Sequence, residues 1–172
     1  MLEKDYEYVE TNTLTKKKME NSFNISRYQE LLKLKNNNKI ALFDENSMEL
    51  LKYQANVQTQ VSYNRKKDYF ILISRFLNHR LEIHQLKSKI NDLKQQDLEK
   101  SSRILENFEE LESFSLASDL EKFGNPINEI SELCFNFYEY LANGMEALTE
   151  DEFYDLINKY YLQLQVAFSS TI

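Results

Sequence analysis

Glycine, proline, cysteine and tryptophan are nearly missing from this 172-residue chain, which carries two glycines, one proline, one cysteine and no tryptophan. Hairpin-built sandwiches and barrels need a turn signal about every 8–12 residues, and three such residues cannot supply them. Phosphate-cradling loops fall on the same ground, because each needs two or three clustered glycines, whereas Gly124 and Gly144 stand far apart. A lone Cys134 closes no internal disulfide, which points to a reducing compartment. The longest apolar run, residues 69–73, is far below the roughly 20 residues that span a bilayer, so no membrane insertion is expected. No apolar stretch follows the first five residues, so no secretory signal is read. Glu3, Asp5, Glu7 and Glu10 are out of place in an organellar leader, which is poor in acids. The expected location is therefore the bacterial cytoplasm, or the stroma of a plastid that makes the chain itself.

What is present suits a helical protein. The 42% of hydrophobic residues suffices for one buried core. Phe, Tyr, Met, Ile, Asn and Lys together number 70, against 14 for Gly, Ala, Arg and Pro. That contrast is the imprint of an AT-rich coding sequence, as in an organelle, a plasmid, a phage or a low-GC bacterium. The expected class is all-α: an irregular bundle of five or six helices behind a flexible N-terminal arm. Residues 1–24 are polar, include Lys16-Lys17-Lys18 and lack an apolar period, and are read as that arm. Residues 25–172 are read as a single helical domain, with 25–60 leading into a core over 62–172.

Ser26 with Gln29 suggests a capping box for a first helix with Tyr28, Leu31 and Leu32 on one face, ending at Asn36-Asn37-Asn38. Residues 39–43 read as an extended connector. From 47 to 77 nothing breaks a helix, and Met48, Leu51 and Ala55, then Tyr69, Leu72, Ile73 and Phe76, follow helical spacing. The polar middle, residues 54–64, is compatible with a continuous helix or with a bend. Ile83, Leu86, Ile90 and Leu93 form a narrow stripe, after which Asp97 is placed as a cap for a helix facing inward through Ile104 or Leu105, Phe108 and Leu111. Asn125-Pro126 and Asn143-Gly144 suggest the start and stop of another helix, and Thr149 with Glu152 a capping box for the last, running to about Phe168.

No catalytic, cofactor-binding or metal-binding residue is assigned, and the chain is read as a non-enzyme. His79 and His84 lack a metal-ligand spacing. Cys134 sits on the apolar stripe of Ile127, Ile130, Phe137 and Leu141, as a core thiol does. Glu106, Glu109, Glu110 and Glu112 cluster as on a solvated helix face, not as a desolvated catalytic pair.

Charge is unevenly divided. Residues 1–100 carry 18 basic and 14 acidic side chains, net +4, whereas residues 101–172 carry 3 and 14, net −11. Arg65, Lys66, Lys67, Arg75, Arg80, Lys87, Lys89 and Lys94 outnumber the acids of residues 65–94 by 8 to 3. Either the two halves complement each other or the acidic one attracts a basic partner. On a helical wheel with Ile127, Ile130, Cys134, Phe137 and Leu141 inward, Phe135 and Tyr140 point outward among Glu129, Glu132 and Glu139. In the last helix Phe153, Ile157, Tyr160 and Leu164 form one stripe, leaving Tyr154, Leu162 and Val166 on another face with Asp151 and Asp155. Rings rimmed by charge are the composition of a binding surface. The predicted partner-binding residues are Glu129, Glu132, Phe135, Glu139, Tyr140, Asp151, Tyr154 and Asp155.

Residues 71–77 (Ile-Leu-Ile-Ser-Arg-Phe-Leu), a short helix from Leu81, an acidic aromatic helix, and Leu148-Thr149-Glu150-Asp151-Glu152 together resemble the small helical immunity proteins of colicin D type. The resemblance covers roughly residues 70–165. It implies a compact acidic bundle that plugs the positively charged site of a tRNA-cleaving toxin, presenting carboxylates where the toxin expects phosphates. The chain departs from that pattern in some 60 extra N-terminal residues, in the basic stretch 65–94, and in lacking a clear counterpart of the acidic loop before the last helix. The expected function is thus a protein-binding module for a basic partner, of which an immunity-type inhibitor is one form. The alternatives are a nucleic-acid-associated protein using residues 65–94, or a plastid-encoded assembly or scaffold subunit.

Overall fold

The computed structural model describes residues 23–41, 44–142 and 148–168, without the side chains of 138–142. Among these the protein is all-α, with seven helices and no strand. They are α1 (Ile25–Asn36), α2 (Glu45–Asn64), α3 (Lys66–Leu77), α4 (Ile83–Glu106), α5 (Phe108–Glu112), α6 (Leu120–Ala142) and α7 (Glu150–Phe168). Two compact units are formed: one from Met1–Val57 with Arg103–Ser118, the other from Gln58–Ser102 with Asp119–Ile172.

In the first unit the expected arm lies outside the described residues up to position 22, and Phe23 and Asn24 are already built into the fold. The Phe23 ring is buried and meets Tyr28, Tyr53 and Phe114 edge-on at centroid distances of 5.3, 5.1 and 6.3 Å. Asn24, and not Ser26, caps α1, its side chain accepting the Arg27 N–H at 3.1 Å. Tyr28 and Leu31 are buried as the spacing predicts, and α1 ends at Asn36, with Asn38 in the left-handed region at φ 53°. Arg27 donates through Nε and Nη2 to the Glu49 carboxylate and also to Asn46 and Glu30, joining α1 to α2. These bonds, Glu49 first, hold the guanidinium well above its ordinary range and hold Glu49 below the usual carboxylate range. The connector expected over 39–43 falls partly outside the described residues, at 42 and 43.

Helix α2 buries Leu50, Val57 and Val61 and leaves Met48, Leu51 and Ala55 exposed, so its apolar face is the opposite of the one expected. The stretch 47–77 is not one continuous helix: it breaks at Arg65, one residue past the polar middle 54–64 where the sequence allows a bend, and the φ of −107° and ψ of 18° there separate α2 from α3.

In the second unit α7 packs against α6 and α3. Tyr69, Leu72, Ile73 and Phe76 of α3 and Leu86 and Ile90 of α4 are buried as expected, beside Phe123, Ile127, Ile130 and Cys134 of α6 and Phe153, Ile157, Leu164 and Phe168 of α7. The Phe168 ring is shared by Tyr63, Phe70 and Phe123, all edge-on at about 6 Å, the range in which aromatic pairs add stability beyond burial. Asp97 caps nothing: it lies inside α4, which runs on to Glu106, and it has no exposed surface. Its carboxylate accepts the Ser62 and Tyr69 hydroxyls, each at 2.6 Å, and the Arg65 guanidinium at 3.1 Å. A fully buried carboxylate persists where such donors compensate for lost hydration.

Helix α6 begins at Leu120, five residues before the expected Asn125-Pro126 start, and Pro126 sits inside it. Pro126 gives no N–H to the carbonyl four residues back. Burial of Leu120, Phe123 and Pro126 itself offsets that loss. The stop expected at Asn143-Gly144 lies outside the described residues.

Candidate partner-binding surface

The amphipathic pattern of α6 decides which side chains reach solvent. With Ile127, Ile130, Cys134 and Phe137 in the core, the 100° rotation per residue carries Glu129, Glu132 and Phe135 outward. Phe135 is 53% exposed, unusual for a large apolar ring. Neither Glu129 nor Glu132 has an ion-pair partner among the described residues. Glu129 accepts the Tyr160 hydroxyl of α7 at 3.1 Å. Partial burial pushes that phenol upward, helped by this bond and by the charges of Glu129 and Glu132. The structure therefore brings Glu129, Glu132 and Phe135 together on α6 and adds Tyr160 to them. Glu139 and Tyr140 lie outside the described side chains.

The α7 members of the predicted set are placed elsewhere. Thr149 caps α7 reciprocally: its N–H donates to Glu152 Oε2 at 2.8 Å, and its Oγ1 accepts the Glu152 N–H at 3.2 Å. These bonds hold Glu152 below the usual carboxylate range, the Thr149 N–H contributing most. The cap sets Asp151 in the first turn and Asp155 one turn on, both exposed. Tyr154, expected on an open face, is half-buried instead. Its ring stacks on His79 with centroids 5.3 Å apart, and its hydroxyl donates to the Leu77 carbonyl at 2.5 Å. The physical reason is the turn after α3, where His79 adopts φ 56° and folds back over α7. Asp151 and Tyr154 help line a groove of about 640 Å³ with Glu82, His84 and Glu150. Among the described residues no contact joins this end of α7 to Glu129, Glu132 or Phe135. The other outward residues of α7, Leu162 and Val166, are exposed as expected and border a groove of about 650 Å³ with Glu121, Lys122 and Pro126.

Sequence reasoning missed Lys87. Its Nζ lies 5.7 Å from the Phe135 centroid, within cation–π range, and donates to the Phe135 carbonyl at 3.2 Å. Only the tertiary fold reveals that contact, since the two residues are remote in sequence and the basic stretch offered eight equivalent candidates. Of those eight, four serve the fold. Arg65 binds Asp97 and Asp68, Lys66 lies 4.1 Å over the Tyr63 ring, Lys87 covers Phe135, and Lys94 donates to Asn128 at 2.8 Å. Burial pulls the Lys94 ammonium below its ordinary range.

Cys134 is fully buried, and burial pushes its thiol up to about 12 against the opposing charge of Lys87. At neutral pH such a thiol is protonated and inert as a nucleophile. Among the described residues no group of three or more His, Cys, Asp or Glu is placed to hold a metal ion, and no helix is long and apolar enough to cross a membrane. Compared with known families, curated proteins and solved structures, the chain matches no family, no curated protein and no solved fold.

Proposed function

We propose that this chain is a non-enzymatic binding module whose acidic aromatic face on α6 engages a positively charged site on a protein partner, in the manner of an immunity-type inhibitor. One observation carries the reading: Glu129 and Glu132 stand in solvent without ion pairs among the described residues, one turn or two from a phenylalanine that is 53% exposed. Unpaired carboxylates steer a cationic partner, and a half-exposed ring supplies contact area once it docks. The net charge of −11 over residues 101–172 extends that attraction beyond the contact itself. The sequence resemblance to colicin D-type immunity proteins points to a partner whose cationic site normally receives RNA phosphates.

The test is cleavage of tRNA by a colicin D-type nuclease domain, with and without the full chain. Protection is expected from the native chain and not from the Glu129→Lys, Glu132→Lys double variant. Equal cleavage in all three reactions would remove the immunity reading.

A further inference from the structure

We infer that Lys87 is a built-in occupant of a cation position over Phe135, and that a lysine side chain of the protein partner displaces it in the complex. This rests on the acidic-face reading of α6. The Phe135 ring presents the negative face of its quadrupole to a cation. Lys87 reaches it from α4, with Nζ 5.7 Å from the centroid and 3.2 Å from the Phe135 carbonyl oxygen. Glu132, one turn earlier on α6, keeps an exposed carboxylate on the same side of the helix, with no ion pair among the described residues, to draw a cation toward the ring. Ring face and carbonyl together make a receptor for an ammonium group, which the protein's own lysine occupies.

One ring face and one carbonyl hold one ammonium group at a time. An incoming cation must therefore move Lys87, which its flexible four-carbon stem allows. The internal lysine lowers affinity for any single stray cation. A partner with several cations still prevails, because Glu129 and Glu132 attract its remaining charges. Such self-competition favours discrimination over strength.

The experiment is an NMR titration of the full chain with a hexalysine peptide at low salt, reading the amides of residues 129–136. Lys87→Met is expected to bind about two- to fivefold more tightly than the native chain, the range of an exposed cation–π contact. Lys89→Met removes the same charge from an exposed position of α4 that does not touch Phe135, and a smaller gain is expected. Phe135→Leu should erase the difference between native and Lys87→Met backgrounds, and Lys87→Gln should repeat the gain with a polar side chain. If the peptide perturbs α6 in the native chain but Lys87→Met gains nothing, or Lys89→Met gains as much, the role of Lys87 falls and the acidic-face reading stands. If no variant shows perturbation on α6, both fall together.

Discussion

The Tyr69 hydroxyl donates to the Asp97 carboxylate at 2.6 Å, although Asp97 has no exposed surface. Ser62 and Arg65 complete the shell, so the charge connects the end of α2, the break at Arg65, and α3 to the middle of α4. Asp97→Ala leaves two hydroxyls and a guanidinium facing a void and should cost about 3–5 kcal/mol. Tyr69→Phe removes one donor of three and should cost about 1–2 kcal/mol. Urea unfolding measures both, and an Asp97→Ala chain within about 1 kcal/mol of native stability would show that the shell contributes little.

Tyr69 also contributes to the alkaline limb of stability. Burial, then the bond to Asp97, pushes its phenol well above the ordinary value of 10. Below pH 10 both folded and unfolded chains keep this proton. Above it the unfolded chain releases a proton that the folded chain retains, so stability falls as pH rises. Unfolding followed from pH 8 to 11 should show that loss, and Tyr69→Phe should flatten it. An unchanged slope in the variant would assign the loss to other tyrosines, of which Tyr28, Tyr53 and Tyr63 are also pushed upward by burial.

Gly124 lies within α6, where alanine would ordinarily favour the helix by about 1 kcal/mol. A Cβ at that position would meet Thr59 Cγ2 at 2.6 Å, on a short β-branched side chain with little room to move. Gly124→Ala should therefore destabilise by about 1–3 kcal/mol. The double variant with Thr59→Ala should recover most of it, and thermal denaturation of the four-member cycle decides the point. A stabilising single variant would mean that α2 and α6 separate easily.

Cys134 gives a reporter of opening. With its thiol buried and pushed up to about 12, labelling by a disulfide reagent at pH 8 should be at least about a hundredfold slower in the native chain than in urea. Fast native labelling would contradict the tight packing of Cys134 in the core.

Helix content was legible from composition and spacing, and the Thr149–Glu152 box was readable because its partners are local in sequence. Three features were not, and each was decided by distant partners. Asp97 follows two glutamines and looks like a cap, but donors from residues 62, 65 and 69 make it an interior residue. Asn125-Pro126 has the grammar of a helix start, yet burial of Leu120 and Phe123 extends α6 backwards past the proline. In α2 two apolar stripes compete, Met48-Leu51-Ala55 against Leu50-Val57-Val61. The second wins: Leu50, Val57 and Val61 are buried by packing from distant parts of the chain, and Met48, Leu51 and Ala55 are left exposed. At the candidate site the outward placement of Glu129, Glu132 and Phe135 followed from the wheel. The fold-back of Tyr154 onto His79 did not, because it depends on a left-handed turn at a residue that is not glycine.

The proposed function depends on exposed carboxylates of α6 attracting a basic protein. The full chain and its Glu129→Lys, Glu132→Lys variant, each immobilised, are exposed to extract from the native host at about 50 mM and 300 mM salt, and retained proteins are identified by mass. A basic protein should be held by the native chain at low salt, released at high salt as screening shortens the reach of the charges, and never held by the variant. The same protein retained equally by both chains, with no dependence on salt, would contradict the proposed function.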